Sequence, residues 1–147
     1  MKKLLILVFS FMLLTAGLKA ADTPDETAAV KKAVTEGYIE GIFLKGDAEL
    51  VKKWWHEACD VVVLTKEGLQ KIPVSAWVSR LEKNPGSPFA GITVTHEFED
   101  VKVTGTAALA VVRVFFDGKQ KYTDYLNLYK FEDGWKIVTK TYYTHFK

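Results

Sequence analysis

The sequence predicts an α+β domain in which a cone-like, curved antiparallel sheet packs on three N-terminal helices. Two observations carry this prediction. The first half of the chain shows apolar residues at helical spacing between helix-breaking residues, and the second half consists of long strand-like runs separated by Gly105, Asp117-Gly118 and Asp133-Gly134. Connections this short join antiparallel neighbours. The later strands should therefore form one meander.

The N-terminal 20 residues have the layout of a secretory signal peptide. Two lysines follow Met1, an apolar run extends over Leu4–Leu14, and small residues lead to Ala20. The run is shorter than the ~20 residues that a membrane-spanning helix needs. We therefore expect cleavage after residue 20, a single mature domain at 21–147, a periplasmic or secreted location, and no membrane anchor after cleavage.

The charge of the chain does not favour a nucleic-acid partner. The 147 residues carry a net charge of +2, but removing residues 1–20 leaves 17 basic and 18 acidic residues, which is a net charge of −1. No basic patch remains to bind phosphates. Cys59 is the only cysteine in the sequence, so no intramolecular disulfide can form, and its apolar surroundings indicate a buried, inert thiol.

The helices can be placed by their start and stop signals. Thr23-Pro24-Asp25-Glu26 forms a capping box for the first helix, and Lys45-Gly46-Asp47 ends that helix and caps a second one that reaches Trp54. Val74–Lys83 is a third, short helix. The first helix has a buried stripe whose two glycines predict close packing of another element: Val30, Val34, Gly37, Tyr38, Gly41 and Ile42.

The strands include one that is apolar on both faces. A short pair, Asp60–Thr65 with Leu69–Ile72, precedes the third helix. Four long strands follow: Ile92–Val103, Thr106–Asp117, Lys121–Phe131 and Trp135–Tyr143. The strand after Thr106 carries apolar side chains in both directions, so both faces of the sheet should be covered. Three helices can cover one face only. The other face is expected to form a homodimer, or alternatively the sheet curls to cover itself.

Several segments resemble a known family. These are Tyr38-Ile39-Glu40-Gly41, Trp55-His56 leading into Cys59-Asp60, Asp124-Tyr125-Leu126-Asn127-Leu128, and the stretch from Asp133 to Lys140. Together with the order of elements, they resemble the bacterial putative lumazine-binding family of the nuclear transport factor 2-like superfamily. The resemblance covers about Glu26 to Tyr143. It implies a cone with an internal cavity, in a superfamily that includes isomerase-like and dehydratase-like enzymes, polyketide cyclases, binding modules and dimerisation domains.

Asp124 is the first candidate for a general acid or base in such a cavity. It shares a strand face with Leu126 and Leu128, so burial should raise its pKa. A two-residue turn in the last hairpin would place Tyr143 opposite Asp124. A bulge at Gly134 would instead place Tyr142 there, and Lys140 opposite Leu126.

The bulged register is preferred because it gathers four apolar side chains on one face: Tyr129, Phe131, Trp135 and Ile137. Tyr142 then becomes a candidate partner in proton transfer and Lys140 a candidate ligand-binding residue. His56 is the other candidate catalytic group, since an imidazole at the end of the second helix could transfer protons at the cavity mouth. The alternative role for His56 is to cap that helix.

Aromatic residues could line a pocket for a flat ligand, although they could equally form core: Tyr38, Trp54, Trp55, Trp77 and Phe89. No metal site is expected, because the segment from His56 to Asp60 lacks the two-histidine spacing of a zinc motif. No phosphate-binding or dinucleotide motif is present in the sequence either, so no cofactor is expected.

Three functions remain open. The first is an exported module, as a homodimer, that binds a small apolar or aromatic molecule in its cone. The second is an enzyme of the isomerase or dehydratase kind with Asp124 as acid or base, assisted by His56 or Tyr142. The third is a structural dimerisation or interaction domain whose interior is filled. An open cavity separates the first two from the third.

Overall fold

The computed structural model of the chain describes residues 26–146. The predicted signal peptide and the capping box at Thr23 lie outside these residues. The first helix, α1, covers Glu26–Val34 and continues directly into a π-helical segment, Thr35–Leu44. Helix α2 covers Ala48–Trp54, and α3 covers Val74–Lys83 as the sequence predicts. The three predicted helices are thus present, and the second half of the first one is wound more widely than expected.

The six strands form one curved sheet that does not close into a barrel. They are β1 Trp55–Thr65, β2 Gly68–Pro73, β3 Val94–Thr104, β4 Ala107–Phe116, β5 Lys119–Phe131 and β6 Gly134–Thr144, in the order β2-β1-β6-β5-β4-β3. The predicted fold class is confirmed with one difference. Strands β1 and β6 run parallel, so the sheet is mixed rather than wholly antiparallel. The long connection that a parallel pair needs is supplied by α3 and the intervening strands.

Extra residues in the strands account for the curvature. Glu99 on β3, Lys121 on β5 and Val138 on β6 each lack a partner in the neighbouring strand. A single unpaired residue bends a strand and increases its twist. Between Trp55 and Asp60, β1 has three more residues than the β6 segment it accompanies. The meander therefore wraps around the helices instead of lying flat.

The predicted register is confirmed at Asp124, but the expected cause was wrong. Asp124 pairs with Tyr142, and Leu126 pairs with Lys140. The turn itself is tight, because Phe131 pairs with Gly134, and the bulge is at Val138, four residues further along β6. The bulge changes which residues of β6 point inward. Before it these are the odd-numbered Trp135 and Ile137, and after it the even-numbered Lys140.

The predicted aromatic face near this turn was also wrong. Tyr129 and Phe131 are exposed on the outer side of the sheet, whereas Trp135 and Ile137 are buried on the inner side. The reason is the register: Trp135 pairs with Lys130, so its neighbours on the same face are the even-numbered residues of β5. A bulge at Gly134 would have reversed this arrangement.

The glycines of the first helix allow close helix packing, as predicted. A Cβ atom on Gly37 would lie 2.3 Å from the Cβ of Trp54, and one on Gly41 would lie 3.3 Å from the Cβ of Leu50. Asp47 caps α2, since its Oδ1 accepts hydrogen bonds from the Glu49 and Leu50 amides at 2.9 and 3.2 Å. Helix α2 is therefore held tightly against the π-helical segment.

The two faces of the sheet differ in what covers them. The alternate residues of β4 that point inward are buried against the helices: Ala108, Ala110, Val112, Val114 and Phe116. The opposite side of β4 carries Leu109, Val111 and Phe115, which are partly exposed in the single chain. Apolar side chains thus lie on both faces of this strand, as the sequence indicates.

Candidate functional site

A buried ion pair occupies the inner face of the last hairpin. The Lys140 Nζ lies 2.6 Å from Asp124 Oδ1, and the two side chains are 2% and 0% exposed as residues. The Tyr38 hydroxyl, from the π-helical segment, donates a hydrogen bond of 3.0 Å to Asp124 Oδ2. Burial of an opposite-charge pair is costly unless both groups have close partners. Here each carboxylate oxygen has one, which fixes the position of Asp124.

Aromatic rings surround the ammonium group of this pair. Lys140 Nζ lies 3.9 Å from the centre of the Tyr142 ring and 5.0 Å from that of Tyr38. The faces of aromatic rings attract cations, and the attraction is strongest away from water. Lys140 is therefore held by one carboxylate and two phenol rings.

Burial shifts the pKa values of both members of the pair toward neutrality. Desolvation raises the pKa of the Asp124 carboxyl group, and the Lys140 ammonium and the Tyr38 hydroxyl only partly oppose this. Desolvation lowers the pKa of Lys140, against the pull of Asp124. The pKa of Tyr38 is well above its usual value, because the phenol is buried beside the carboxylate. Both shifts bring the pKa values of Asp124 and Lys140 closer together than they are in water.

A cavity of about 200 Å³ lies between the helices and the sheet, next to this pair. Its lining comes from the π-helical segment, α3, the loop after α3, and strands β5 and β6: Tyr38, Ile42, Phe43, Trp77, Arg80, Leu81, Pro88, Phe89, Tyr122, Lys140 and Tyr142. Lys140 and Arg80 are the charged members, and no carboxylate belongs to the lining. The cavity therefore combines apolar walls with positive charge.

The walls of the cavity form a connected aromatic cluster around Phe43. The Phe43 ring lies 5.0 Å from Tyr38, 5.1 Å from Phe89 and 6.2 Å from Tyr122, measured between ring centres. Tyr122 in turn lies 5.6 Å from Tyr142. These are the separations at which aromatic pairs stabilise each other. The rings are held by one another, so the cavity keeps its shape without a ligand.

The loop after α3 is fixed over the cavity by backbone contacts. The Ser87 hydroxyl donates a hydrogen bond to the Phe43 carbonyl at the end of the π-helical segment, and the Phe89 amide donates to Ser87 Oγ at 3.0 Å. Gly46 has a φ of +59°, and a Cβ atom there would overlap the Gly86 carbonyl oxygen. This close approach requires glycine, and it brings Phe89 against Phe43.

The structure brings together most of the residues predicted for a site. Tyr38, Trp77, Phe89, Lys140 and Tyr142 all line the cavity. Asp124 lies directly behind Lys140, in contact with it but outside the lining. The catalytic and ligand-binding roles assigned to these residues stay predictions.

Three other candidates lie away from the cavity lining. Trp54 packs on Gly37 from α2, and Trp55 is buried with its Nε1 donating to the Gly37 carbonyl at 3.0 Å. The His56 ring stacks on Phe131 with 4.9 Å between ring centres. His56 begins the segment of β1 that has extra residues relative to β6, so its side chain packs near the hairpin turn. The position of His56 next to a predicted helix end did not indicate that its side chain would lie near the hairpin turn.

Sequence reasoning missed Phe43, Arg80 and Tyr122 as lining residues. Tyr122 lies at the even spacing of Asp124 and Leu126 on β5, so strand alternation could have identified it. Arg80 lies three residues after Trp77 on α3, which places both on one helix face. Phe43 could not be found in this way, because the π-helical winding changes which residues of that segment share a face.

The described residues contain neither a group of side chains arranged for a metal ion nor a helix that could cross a membrane. In residues 26–146, no group of three or more histidine, cysteine, aspartate or glutamate side chains is arranged to hold a metal ion. Within the same range, every helix is too short or too polar to cross a membrane.

The curved sheet packed on three helices is a nuclear transport factor 2-like fold, and comparison with known families places the chain more narrowly. The sequence profile of the family described as Putative lumazine-binding matches residues 25–143. The chain belongs to this family. No curated protein is significantly similar to it in sequence.

Solved structures similar to this chain carry the same fold. A nuclear transport factor 2-like protein of unknown function from Shewanella baltica OS155 has a TM-score of 0.67 and 19% identity, over 86% of this chain and 100% of that one. One from Silicibacter pomeroyi DSS-3 has a TM-score of 0.64 and 20% identity, over 80% and 94% of the two chains. One from Methylobacillus flagellatus KT has a TM-score of 0.64 and 18% identity, over 84% and 95%. At these identities the likeness concerns the fold alone.

Proposed function

We propose that the protein binds a small aromatic molecule that carries an electronegative or anionic group. One observation supports this most strongly: an aromatic cavity whose charged lining residues are both cationic, Lys140 and Arg80. Binding pockets are commonly apolar with a few polar groups that orient the ligand. A ring would pack among the aromatic walls, and its oxygen atoms would face the ammonium and guanidinium groups.

The size of the cavity limits the ligand to one or two rings. Its volume of about 200 Å³ is below the roughly 300–1,000 Å³ typical of sites for drug-sized ligands. The family description names lumazine, a flat bicyclic heteroaromatic with two carbonyl oxygens. Such a molecule has the chemistry that the lining favours, so lumazine is the first ligand to test.

Lumazine binding can be followed by the change in its own fluorescence on titration with the protein. Trp77→Ala and Phe89→Ala should each weaken binding by about tenfold, because each removes an aromatic wall and about 1.4 kcal/mol corresponds to a factor of ten in Kd. Phe146→Ala is the matched control, since Phe146 is 39% exposed and belongs neither to the cavity lining nor to the exposed aromatic face of the sheet. Equal affinity in all four proteins would contradict the proposal.

Proton-transfer catalysis is a second candidate, favoured by the buried Asp124 beside the cavity. A carboxyl group of raised pKa next to an apolar cavity suits a general acid or base of the isomerase or dehydratase kind. Asp124 does not itself line the cavity, so a proton would pass through Lys140 or Tyr38, or the Lys140 side chain would move. Binding without turnover is therefore our first proposal.

Exchange of hydrogen for deuterium at the carbon next to a ketone tests this second candidate. With 2-tetralone as the probe in D₂O, followed by proton NMR, an enzyme would accelerate exchange over buffer. Asp124→Asn would then lose the acceleration while the probe still binds. Exchange no faster than in buffer would contradict catalysis of this kind.

We also propose that the protein is exported by its signal peptide, residues 1–20, and that the mature protein, residues 21–147, forms a homodimer after cleavage. The outer sheet face supports the dimer, because it exposes large side chains that the helices do not cover: Tyr125, Tyr129, Phe131 and Tyr143. Exposed apolar patches of this kind commonly mark protein interfaces. The open cavity favours ligand binding over a purely structural dimerisation domain, whose interior would be filled.

A further inference from the structure

Lys140 differs from the other lysines of the described chain in its surroundings. It is the only lysine buried among residues 26–146, and it lines the cavity. Its Nζ touches a carboxylate at 2.6 Å, and it is enclosed by the Tyr38 and Tyr142 rings. Lys140 is thus an amine held away from bulk water at the edge of a ligand-sized space.

A lysine becomes a nucleophile when its amine can lose its proton. Desolvation in an apolar pocket favours the neutral amine, and an adjacent base can accept the proton. Both conditions are met here. Burial lowers the pKa of Lys140 and raises that of Asp124, so transfer of a proton from one to the other costs less than it would in water.

We propose that Lys140 is a covalent attachment site, whose amine forms a Schiff base with the carbonyl group of a small aromatic aldehyde or ketone bound in the cavity. This inference rests on the proposed function, because it places the carbonyl compound in the same cavity. It goes beyond that function by assigning a bond-forming residue and a class of ligand.

The steps balance without any external reagent. The Lys140 ammonium passes one proton to Asp124, and the neutral amine attacks the carbonyl carbon, so that a C–N bond forms as the C=O π pair moves to oxygen. That oxygen takes up two protons in turn from the nitrogen, which regains one proton from Asp124 between the two transfers, and it leaves as water when the nitrogen lone pair forms the C=N bond. The net change converts an ammonium and a carbonyl into a protonated imine and water.

The net charge of the site is the same before and after the Schiff base forms. The protonated imine carries one positive charge, as the ammonium did, and Asp124 is again a carboxylate at the end of the sequence. Its Oδ2 keeps the hydrogen bond from the Tyr38 hydroxyl throughout. The cavity side offers the Tyr122 and Tyr142 phenols as partners for the carbonyl oxygen before it leaves. No new charge is buried when the bond forms.

Reductive trapping with benzaldehyde and sodium cyanoborohydride tests the proposal. Hydride from the borohydride converts the imine to a stable secondary amine, which intact-protein mass spectrometry and peptide mapping locate. Under limiting benzaldehyde at neutral pH, the Lys140 peptide should be labelled about tenfold faster than that of exposed Lys71, because the Lys140 amine is desolvated beside Asp124 and lines the cavity that holds the aldehyde. Labelling of Lys140 no faster than Lys71 in the wild-type protein would overturn the proposal.

Two variants provide the matched comparison. Lys140→Met should remove the fast phase of incorporation, whereas Lys71→Met should keep it. A fast phase that survives in Lys140→Met would assign the reactive amine elsewhere and overturn the proposal. The wild-type peptide map needs no variant, so the test stands even if Lys140→Met folds poorly.

Benzyl alcohol separates a failure of this inference from a failure of the proposed function. It has the same ring but no carbonyl group, so it can bind only non-covalently. If benzyl alcohol shifts the Trp77 indole NMR signal while Lys140 is not trapped by benzaldehyde, the Schiff base is overturned and aromatic binding stands. If neither probe reaches the cavity, both proposals fail.

Discussion

At the scale of single residues, the Asp124–Lys140 pair is the feature that most distinguishes the interior. Both side chains are essentially inaccessible, and each is the nearest ionic partner of the other. The sequence placed Asp124 on the inner face and Lys140 one pair away across the hairpin. It could not show the contact itself, because the contact depends on a bulge at Val138 that no turn signal marks.

Removing one member of the pair should destabilise the protein more than removing both. Lys140→Met leaves Asp124 buried without its cation, and the loss of a buried partner costs about 3–5 kcal/mol. The double variant Asp124→Leu/Lys140→Met should lose less than Lys140→Met alone, because no charge remains buried. Urea unfolding of the three proteins measures this. A double variant less stable than the single one would contradict the account of the pair.

Cys59 is expected to be unreactive in the folded protein. Burial raises the pKa of its thiol to about 12, so almost no thiolate is present at pH 8. Because the folded chain holds this proton more tightly than the unfolded chain, its contribution to stability is present below the unfolded pKa of about 8.5 and is lost as the pH rises toward 12. Thiol titration with and without denaturant should show labelling only after unfolding. Rapid labelling of the native protein would contradict the burial.

At the scale of elements, the contact between the π-helical segment and α2 positions one wall of the cavity. The spacing of Gly37 and Gly41 predicts close packing of another element on this helix, and in the structure that element is α2. The π-helical winding itself could not be predicted, because residue periodicity over ten residues does not distinguish it from an α-helix. The catalytic role predicted for His56 stays untested, and its ring lies outside the cavity lining, beside Phe131, which supports a packing role.

Alanine substitutions at Gly37 and Gly41 should differ in their effect on stability, because an added Cβ atom would lie at different distances from its neighbours at the two positions. Gly37→Ala would bring a Cβ atom to 2.3 Å from Trp54 Cβ, an atom attached to the backbone that no side-chain rotation can move. We expect a loss of about 1–3 kcal/mol, the usual cost of overpacking. Gly41→Ala meets its neighbours only at 3.2–3.3 Å and should cost less. Thermal and urea unfolding measure both, and a larger loss in Gly41→Ala would refute this account of the contact.

At the scale of the whole molecule, one face of the curved sheet borders the cavity, and the other face is exposed in the single chain. From β4, whose residues are apolar in both directions, the sequence predicts that both faces are covered, the outer one by a second subunit or by the curling sheet, whereas in the single chain the outer face is exposed. The fold class was predictable because periodicity and turn residues are local signals. The shape of the cavity was not predictable. It depends on the loop that Ser87 attaches to Phe43 and on which aromatic rings pack against one another.

The exposed aromatic face should determine the oligomeric state. Sedimentation equilibrium of residues 21–147 is expected to give a dimer. Tyr129→Lys, a change at a position 52% exposed in the single chain, should shift it to a monomer because it buries charge in the interface. Lys83→Glu, at the exposed end of α3 and away from the outer sheet face, is the control and should leave the dimer intact. A monomeric wild-type protein would contradict the proposed interface.

The most direct test of cavity binding uses the four tryptophan side chains as internal probes. Trp77 lines the cavity, whereas the Trp135 indole lies elsewhere and donates to Glu26 at 2.6 Å. We would titrate ¹⁵N-labelled protein with lumazine and follow the indole signals by NMR. The account predicts a saturable shift of Trp77 with Trp135 unmoved. No shift of Trp77 at saturating lumazine, or equal shifts of both signals, would contradict binding in the cavity.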